Sequence, residues 1–552
     1  MEKPSARTTK EASAQAKSVA AKFENELARE LFDVAYDELL AMNPQRQTRL
    51  GIHENDDKWT EPSFEHSLAR VELMEEHLES IEKALDVDKL NSQNRLSFDL
   101  FKYNTNQARR GLDFWWHQYP INQMFGVQSA LPAFLINTHP GRNVTDLENY
   151  IQRLQGIEDY LDQVIQVLQD QEERGITPPN FVYDHALDDC KNVLTGAPFD
   201  APDTDSPLFK NFQEKVRRLE LVSNEEERLI QTAKKALTEH TGPAYQKLRD
   251  YLKSARERTE GNHGVWHLPD GGAWYKYSLK RNTTTDYSPE EIHSLGLSEV
   301  ERIHDEIRTI MDQVDFDGSL QDFFAFMQTD DQFFVEDTEA GRQAYLDLAI
   351  GYISDMREAL PEMVNTIPRF DLEVKAVEPY REKSAGKAFY SSPSPNGERP
   401  GIFYVNLYDV ESVPTYELEA LAYHEGIPGH HLQSAITLEL EHLPRFRRYG
   451  HFTAYSEGWA LYAEHFPKEF GFYEDPWSDF GRLAMELERA ARLVVDTGIH
   501  HKRWSRERAI TYLEENTSNS RYQAVKSIER YMVMPGQATA YKIGMNRILE
   551  LR

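Results

Sequence analysis

The chain has 552 residues, with 62 Lys+Arg against 92 Asp+Glu and a formal net charge of −30. That length supports a large core in more than one lobe, and the negative balance argues against nucleic acid or an anionic membrane as partner. A single cysteine, Cys190, excludes an intrachain disulfide, and no run of 18 apolar residues is present to span a membrane.

The first stretch, Met1 to Ala21, is a polar Ala/Ser/Lys/Thr tract with no apolar core of a signal peptide. It reads as a disordered tail, or as a spacer after a removed export or lipoprotein signal. Phe23, Leu27, Leu31, Val34, Ala35 and Leu39 then recur at spacings of three and four, the stripe of a long helix. Leu147, Ile151, Leu154, Leu161, Ile165 and Leu168 do the same, with Thr145 and Glu148 as a capping box at that helix's start. Asn262 to Asp286 is rich in Gly, Thr and aromatics, and reads as an irregular connection between two helical lobes. Ser288-Pro289-Glu290-Glu291 opens the next helix with a Ser cap, Pro in the first turn and Glu at the third position. The expected organisation is a tail over 1–21, an N-terminal helical lobe over 22–287 and a chemistry-bearing lobe over 288–552.

A small sheet is expected within Phe370 to Leu407. Phe370, Leu372 and Val374 alternate with charges, and Lys387 to Tyr390 and Gly401 to Leu407 flank the Ser/Pro/Asn/Gly loop of 391–400. The next helix is expected near Thr415, a plausible cap after Pro414.

That helix carries Tyr423-His424-Glu425-Gly426-Ile427-Pro428-Gly429-His430-His431. Leu418, Leu421, Ala422 and Glu425 share one face, and a carboxylate on an apolar face needs a metal, a water or a hydrogen-bond partner. A zinc hydrolase needs two neutral imidazoles, one carboxylate ligand, an open position and a second carboxylate as general base. The usual helical solution spaces its histidines four apart, but here Pro428 occupies that place. His430 lies roughly 120° round an ideal helix from His424, and His431 roughly 10.5 Å along its axis. Neither can share a zinc with bonds of about 2.0–2.1 Å unless the helix deforms. Pro428 lacks an N–H and clashes with the carbonyl of His424, and Gly426 and Gly429 add backbone freedom. The expectation is a bulge or break over 426–429 that returns His430 to His424, with His431 a near neighbour.

A second motif, Tyr455-Ser456-Glu457-Gly458-Trp459-Ala460, supplies the carboxylate. Glu457 is the expected third ligand, and Glu464, two turns on, the acceptor for a ligand imidazole. Gly458 permits close approach of a neighbour. Further on, Arg489, Arg492, Asp496 and His500 share a helical face, where Asp496 can orient His500; a solvated charged face is the competing reading. His501 is the alternative inward-pointing histidine. Tyr531 and Tyr541 carry hydroxyls able to donate to an oxyanion.

These residues resemble a known family. The stretch His424 to Gln433 is similar to the signature of a large bacterial family long catalogued as a domain of unknown function and placed in the gluzincin clan of zinc peptidases. Ser456-Glu457-Gly458-Trp459-Ala460 is similar to the Asn-Glu-Gly-Phe-Ala stretch of gluzincin aminopeptidases, and Tyr541-Lys542-Ile543-Gly544 to the Tyr-x-x-Gly of Taq-type carboxypeptidases. The resemblance spans nearly the whole chain. It implies a mainly α, two-lobed fold with a deep cleft, like thimet oligopeptidase, and one small sheet beside the metal helix. It implies His424, His430 and Glu457 as zinc ligands, Glu425 as base, and His500, Tyr531 and Tyr541 as transition-state donors. Many family members are exported lipoproteins, which implies a periplasmic or lipid-anchored protein, with a cytoplasmic one as the alternative.

The function expected is therefore zinc-dependent hydrolysis of short peptides by a water that Glu425 activates. Strand Gly401–Leu407 is expected to pair with the extended substrate along the cleft edge. The alternatives are a metal-dependent amidase or esterase on small modified substrates, and a catalytically silent zinc-fold binding protein. Glu425 argues against the last, since a pure binder needs no general base.

Overall fold

The structure, a computed structural model, describes residues 6–552 apart from 201, 202, 260, 378–381, 383–385, 396, 398, 411 and 412, with side chains from residue 22 onward. It is mainly helical with one three-stranded sheet, and none of its described helices is long and apolar enough to cross a membrane. The chain divides into two compact units, Met1–Glu260 with Glu441–Gly450, and Gly261–Leu440 with His451–Arg552.

The first unit opens with helix α1, Ala6–Ala41. Its first turns are the tract expected to be a disordered tail; Ala, Lys, Glu and Gln dominate there and favour helix. The buried face of α1 is Ala28, Phe32, Ala35, Tyr36 and Leu40, while Phe23 and Val34 of the expected stripe are exposed. The helix is thus rotated by about one residue from the expected stripe, because Phe32 is the side chain that meets Phe101 and Phe446. Phe446 belongs to the excursion Glu441–Gly450, whose Arg445 also ion-pairs with Asp33 and Asp37 of α1. Helix α2, Val144–Glu173, buries its whole expected stripe, but its cap is Asn143, whose side chain accepts from the Asp146 N–H, in place of the Thr145 box.

The second unit contains α3 (Gly271–Thr283), α4 (Pro289–Gln313), α5 (Leu418–Glu425), α6 (His430–Glu439), α7 (Thr453–His465), α8 (Pro476–His500), α9 (Arg521–Val533) and α10 (Ala540–Leu551). It begins at Gly261, not near 288. The segment expected to be an irregular linker instead folds as α3, and Tyr275 on α3 donates to Asp496 of α8 at 2.6 Å. The Ser288 capping box forms as expected at the start of α4. Helix α8 is buried along nearly its whole length. Helices α7 and α10 cross at two glycines: a Cβ on Gly458 would lie 2.4 Å from the Gly544 carbonyl carbon. The Gly of the Tyr-x-x-Gly motif is therefore a packing requirement between two helix backbones.

The sheet consists of β1 (Leu372–Ala376), β2 (Ala388–Ser391) and β3 (Gly401–Val405), ordered β1-β3-β2, with β1 parallel and β2 antiparallel to β3. β3 is central, so both its edges are already paired. It cannot take a further strand, contrary to the expectation for Gly401–Leu407. Phe403, Val405 and Leu372 pack with Leu418, Leu421, Ala422 and Tyr423, which seats α5 on the sheet. Thr415 does not cap that helix; its hydroxyl donates to the Phe333 carbonyl, and Thr415–Glu417 form a short 3₁₀ turn leading into α5.

Asp496 is fully buried, accepting from the Tyr275 hydroxyl and the Gly536 N–H. Burial pushes its pKa up to about 7, against the pull of those two donors. An unfolded Asp titrates near about 3.9, so the folded chain binds this proton more tightly. The stabilisation is complete below about pH 4 and is lost as pH rises through about 7. Asp496→Asn should flatten this dependence. Urea unfolding across that window should show the wild type losing up to ~4 kcal/mol more than the variant; parallel pH profiles would contradict the assignment.

Candidate metal centre

Helix α5 ends at Glu425, where the Gly426 N–H makes its last bond to the Ala422 carbonyl at 2.9 Å. A new helix, α6, starts at His430, and the chain between closes with His431 N–H bonding the Gly426 carbonyl at 3.0 Å. The expected deformation is a full break. A Cβ on Gly429 would lie 2.1 Å from the His424 carbonyl oxygen, so the turn folds back directly over the end of α5 and only glycine fits. The Ile427–Pro428 peptide is cis. The Trp459 indole donates to the Pro428 carbonyl at 2.9 Å and ties the turn to α7.

The break places His430 against His424, with ring centroids 4.9 Å apart. Glu457 from α7 completes the group: its Oε2 is 3.6 Å from His430 Nε2 and 4.0 Å from His424 Nε2. One atom from each of the three residues lies within 4.8 Å of the other two. Tetrahedral zinc with bonds of about 2.0–2.1 Å puts its donor atoms about 3.3 Å apart, so two imidazoles and one carboxylate at these separations fit a zinc ion with small side-chain adjustment. Glu464, two turns further along α7, accepts at 2.6 Å from His424 Nδ1, which leaves Nε2 turned toward Glu457.

Burial holds His424 well below the ordinary imidazole pKa, helped by His430, Arg489 and Arg492. It is therefore neutral, the form that binds a metal. Burial opposes charging of His430 too, but the Glu457 and Glu425 carboxylates outweigh it and raise its pKa. Burial raises Glu425, against the pull of His430 and Arg489 and of the Tyr390 backbone N–H beside its carboxylate. Burial also pushes Glu464 up to about 8, with Arg489 drawing it back.

His431 faces elsewhere. Its Nε2 donates to the Phe370 carbonyl at 3.0 Å and its Nδ1 meets the Tyr390 hydroxyl at 3.1 Å. It pins the start of the sheet to α6, and through Tyr390 it steadies the strand whose N–H meets Glu425. Asn406 N–H bonds the Lys387 carbonyl, and pairing alternates from there, so Ala388 and Tyr390 turn their backbone groups away from β3. The open edge beside Glu425 is β2.

His500 is not among these groups. Its Nδ1 accepts the Val265 N–H at 3.1 Å and its Nε2 donates to the Tyr531 carbonyl at 3.0 Å. Burial lowers its pKa to about 4. A neutral imidazole with both nitrogens committed to backbone has no proton for an oxyanion. Asp496 does not orient it, being bonded to Tyr275 and Gly536 instead, and His501 is half-exposed. Tyr531 and Tyr541 lie against Arg492, whose guanidinium is 5.8 Å from one ring centroid and 4.7 Å from the other. Among the described residues the Tyr531 hydroxyl has no hydrogen bond of normal geometry, and Ser527 is its near polar neighbour.

The charged face of α8 is buried, not solvated: Arg489 and Arg492 are 9% and 7% exposed. Both act electrostatically on His424, and Arg530 from α9 acts on Glu457. The spacing of Arg489 and Arg492 puts them on one face of α8 but does not say what that face meets. The available signal was the small and apolar residues on every side of α8, which leave no face for solvent.

No functionally curated protein matches the chain. Among solved structures it is similar to a "putative lipoprotein" from Colwellia psychrerythraea, at 29% identity and a TM-score of 0.89 over 96% of this chain and 92% of that one. It also shares its fold with a "putative lipoprotein of unknown function" from Shewanella oneidensis, at 16% identity and a TM-score of 0.71 over 95% and 92% of the two chains. Residues 44–552 match the family described as "Bacterial protein of unknown function (DUF885)", and the chain belongs to that family.

Proposed function

We propose that the protein is a zinc-dependent peptidase of the gluzincin type that hydrolyses short peptides. The observation that carries this reading is the convergence of His424, His430 and Glu457 beside a second carboxylate, Glu425, which acts on His430 but stands outside that group of three. A site that only held a metal would have no use for that fourth group.

His424, His430 and Glu457 would hold the ion, with Glu464 fixing the His424 ring through Nδ1. Bound zinc would polarise the scissile carbonyl and acidify a water. Glu425 takes a proton from the attacking water and returns it to the leaving amine. Its raised pKa suits both transfers, because a base poised nearer neutrality also releases its proton. The Tyr390 N–H lies beside that carboxylate. The Tyr531 and Tyr541 hydroxyls serve the developing oxyanion. The open edge of β2 offers an extended substrate the outward backbone groups of Ala388 and the carbonyl of Tyr390.

The description of both solved relatives as lipoproteins supports export, with this chain working in the periplasm or at a lipid anchor.

Two measurements test this. Glu425→Gln should keep its zinc and lose about 10²–10⁴-fold in peptide turnover; retained turnover with zinc in place would remove Glu425 as the base. Metal analysis should find about one zinc per chain in the wild type and in His431→Ala, and far less in His430→Ala. The reverse pattern would transfer the ligand role to His431.

A further inference from the structure

Three guanidinium groups gather beside the candidate metal centre. Arg489 and Arg492 of α8 are more than nine-tenths buried and act on His424. Arg530 of α9 reaches the same region, donating to the Tyr541 hydroxyl at 3.3 Å and to Gln537 Oε1 at 3.0 Å, and it acts on Glu457. Arg492 lies over the ring of that same Tyr541. Among the described residues only Glu488 ion-pairs with any of the three. Glu488 ion-pairs with Arg489 at 3.3 Å and with Arg492 at 2.8 Å, and these cations hold it ionised, at a pKa of about 2, although burial opposes this. Arg530 has no carboxylate within ion-pair distance among the described residues. The Nε of all three is buried and lacks a hydrogen-bond partner among the described residues.

Buried guanidinium without a matching anion is costly. In a chain with a net charge of −30, a local surplus of buried cations is not a by-product of composition. The fork of a guanidinium matches a carboxylate, and Arg is the residue that binds one with two parallel bonds. The surplus grows when Glu457 and Glu425 are engaged by a metal and a water, which rests this inference on the reading of the site as a zinc peptidase.

We propose that Arg489, Arg492 and Arg530 form a binding site for a substrate carboxylate, and that this group is the free C-terminus of the peptide. Arg530 donates to Tyr541, which stands one turn before Gly544, and Gly544 packs against Gly458 beside Glu457; one extended residue spans roughly 3.3–3.6 Å. A carboxylate held there lies within about two or three residues of a carbonyl at the metal ligands. The site therefore selects cleavage near the C-terminus. An acidic side chain carries the same chemistry, and the test separates the two sources.

The zinc-loaded full-length protein is given trialanine and its C-terminal amide, and an otherwise matched pair of amidated peptides carrying Glu or Gln. Free trialanine should be turned over with a kcat/KM about ten- to a hundred-fold above its amide, the range expected for losing a hydrogen bond to a charged group. In Arg530→Gln that ratio should fall toward one, and Arg530→Lys should restore part of it, while zinc content stays at the wild-type value. Equal kcat/KM for acid and amide in the wild type would overturn the proposal. So would an unchanged ratio in Arg530→Gln, or a preference for Glu over Gln that exceeds the terminal preference. Should no peptide be turned over, calorimetric binding of the same pair decides. Tighter binding of the acid, lost in Arg530→Gln, would keep the carboxylate site while the peptidase reading falls; equal binding would end both.

Discussion

The hydrogen bond between His424 and Glu464 is buried at both ends, and the site is organised around it. It joins α5 to α7 at the level of the candidate ligands. It commits Nδ1 of one imidazole, and so decides that Nε2 faces Glu457 and His430. Without that acceptor the His424 ring would lose its fixed orientation, and a buried nitrogen would lack a partner. The same helix is held at its other end by Glu419, a buried carboxylate that accepts from the Tyr423 hydroxyl, the Tyr473 N–H and the Ser478 hydroxyl. α5 is only Leu418–Glu425, too short to be stable by itself. Its position comes from these polar ties and from the sheet beneath it.

The break after Glu425 turns on backbone chemistry. Proline removes a donor and obstructs the carbonyl four residues back, and glycine allows the chain to pass so close to the His424 carbonyl that a Cβ would sit 2.1 Å from its oxygen. The result separates two adjacent histidines by function. His430 opens α6 and faces His424. His431 turns to the Phe370 carbonyl and Tyr390. Tyr390 in turn presents a backbone N–H to Glu425, so the sheet, the turn and the acidic residue form one connected structure. Trp459 adds the link from the turn to the helix that carries Glu457.

Much of this was legible in the residues. The break, the pairing of His424 with His430 and Glu457, and the acceptor role of Glu464 follow from local rules of helix geometry and proline chemistry. The three strands follow from alternation and turn residues. Other features were not legible. The face that α1 buries is set by Phe101 and Phe446, the latter more than 400 positions away in sequence. The cap of α2 fell on Asn143 because two acceptable caps lay two residues apart. His500 has the spacing of a residue oriented by Asp496, yet each found another partner from α3, α9 or the loops beside them.

The sequence by itself determined which residues have the chemistry and where the helix must fail, because those depend on neighbours within a few positions. Tertiary structure decided what each polar group ends up facing. β3 became the central strand and left β2 as the open edge, since strand order depends on pairing across long separations. The charged face of α8 became a buried cluster of arginines because the residues around it on every side are covered. A buried charge takes its meaning from the partners that surround it, and the partners of Arg489, Arg492 and Arg530 are assembled only by the fold.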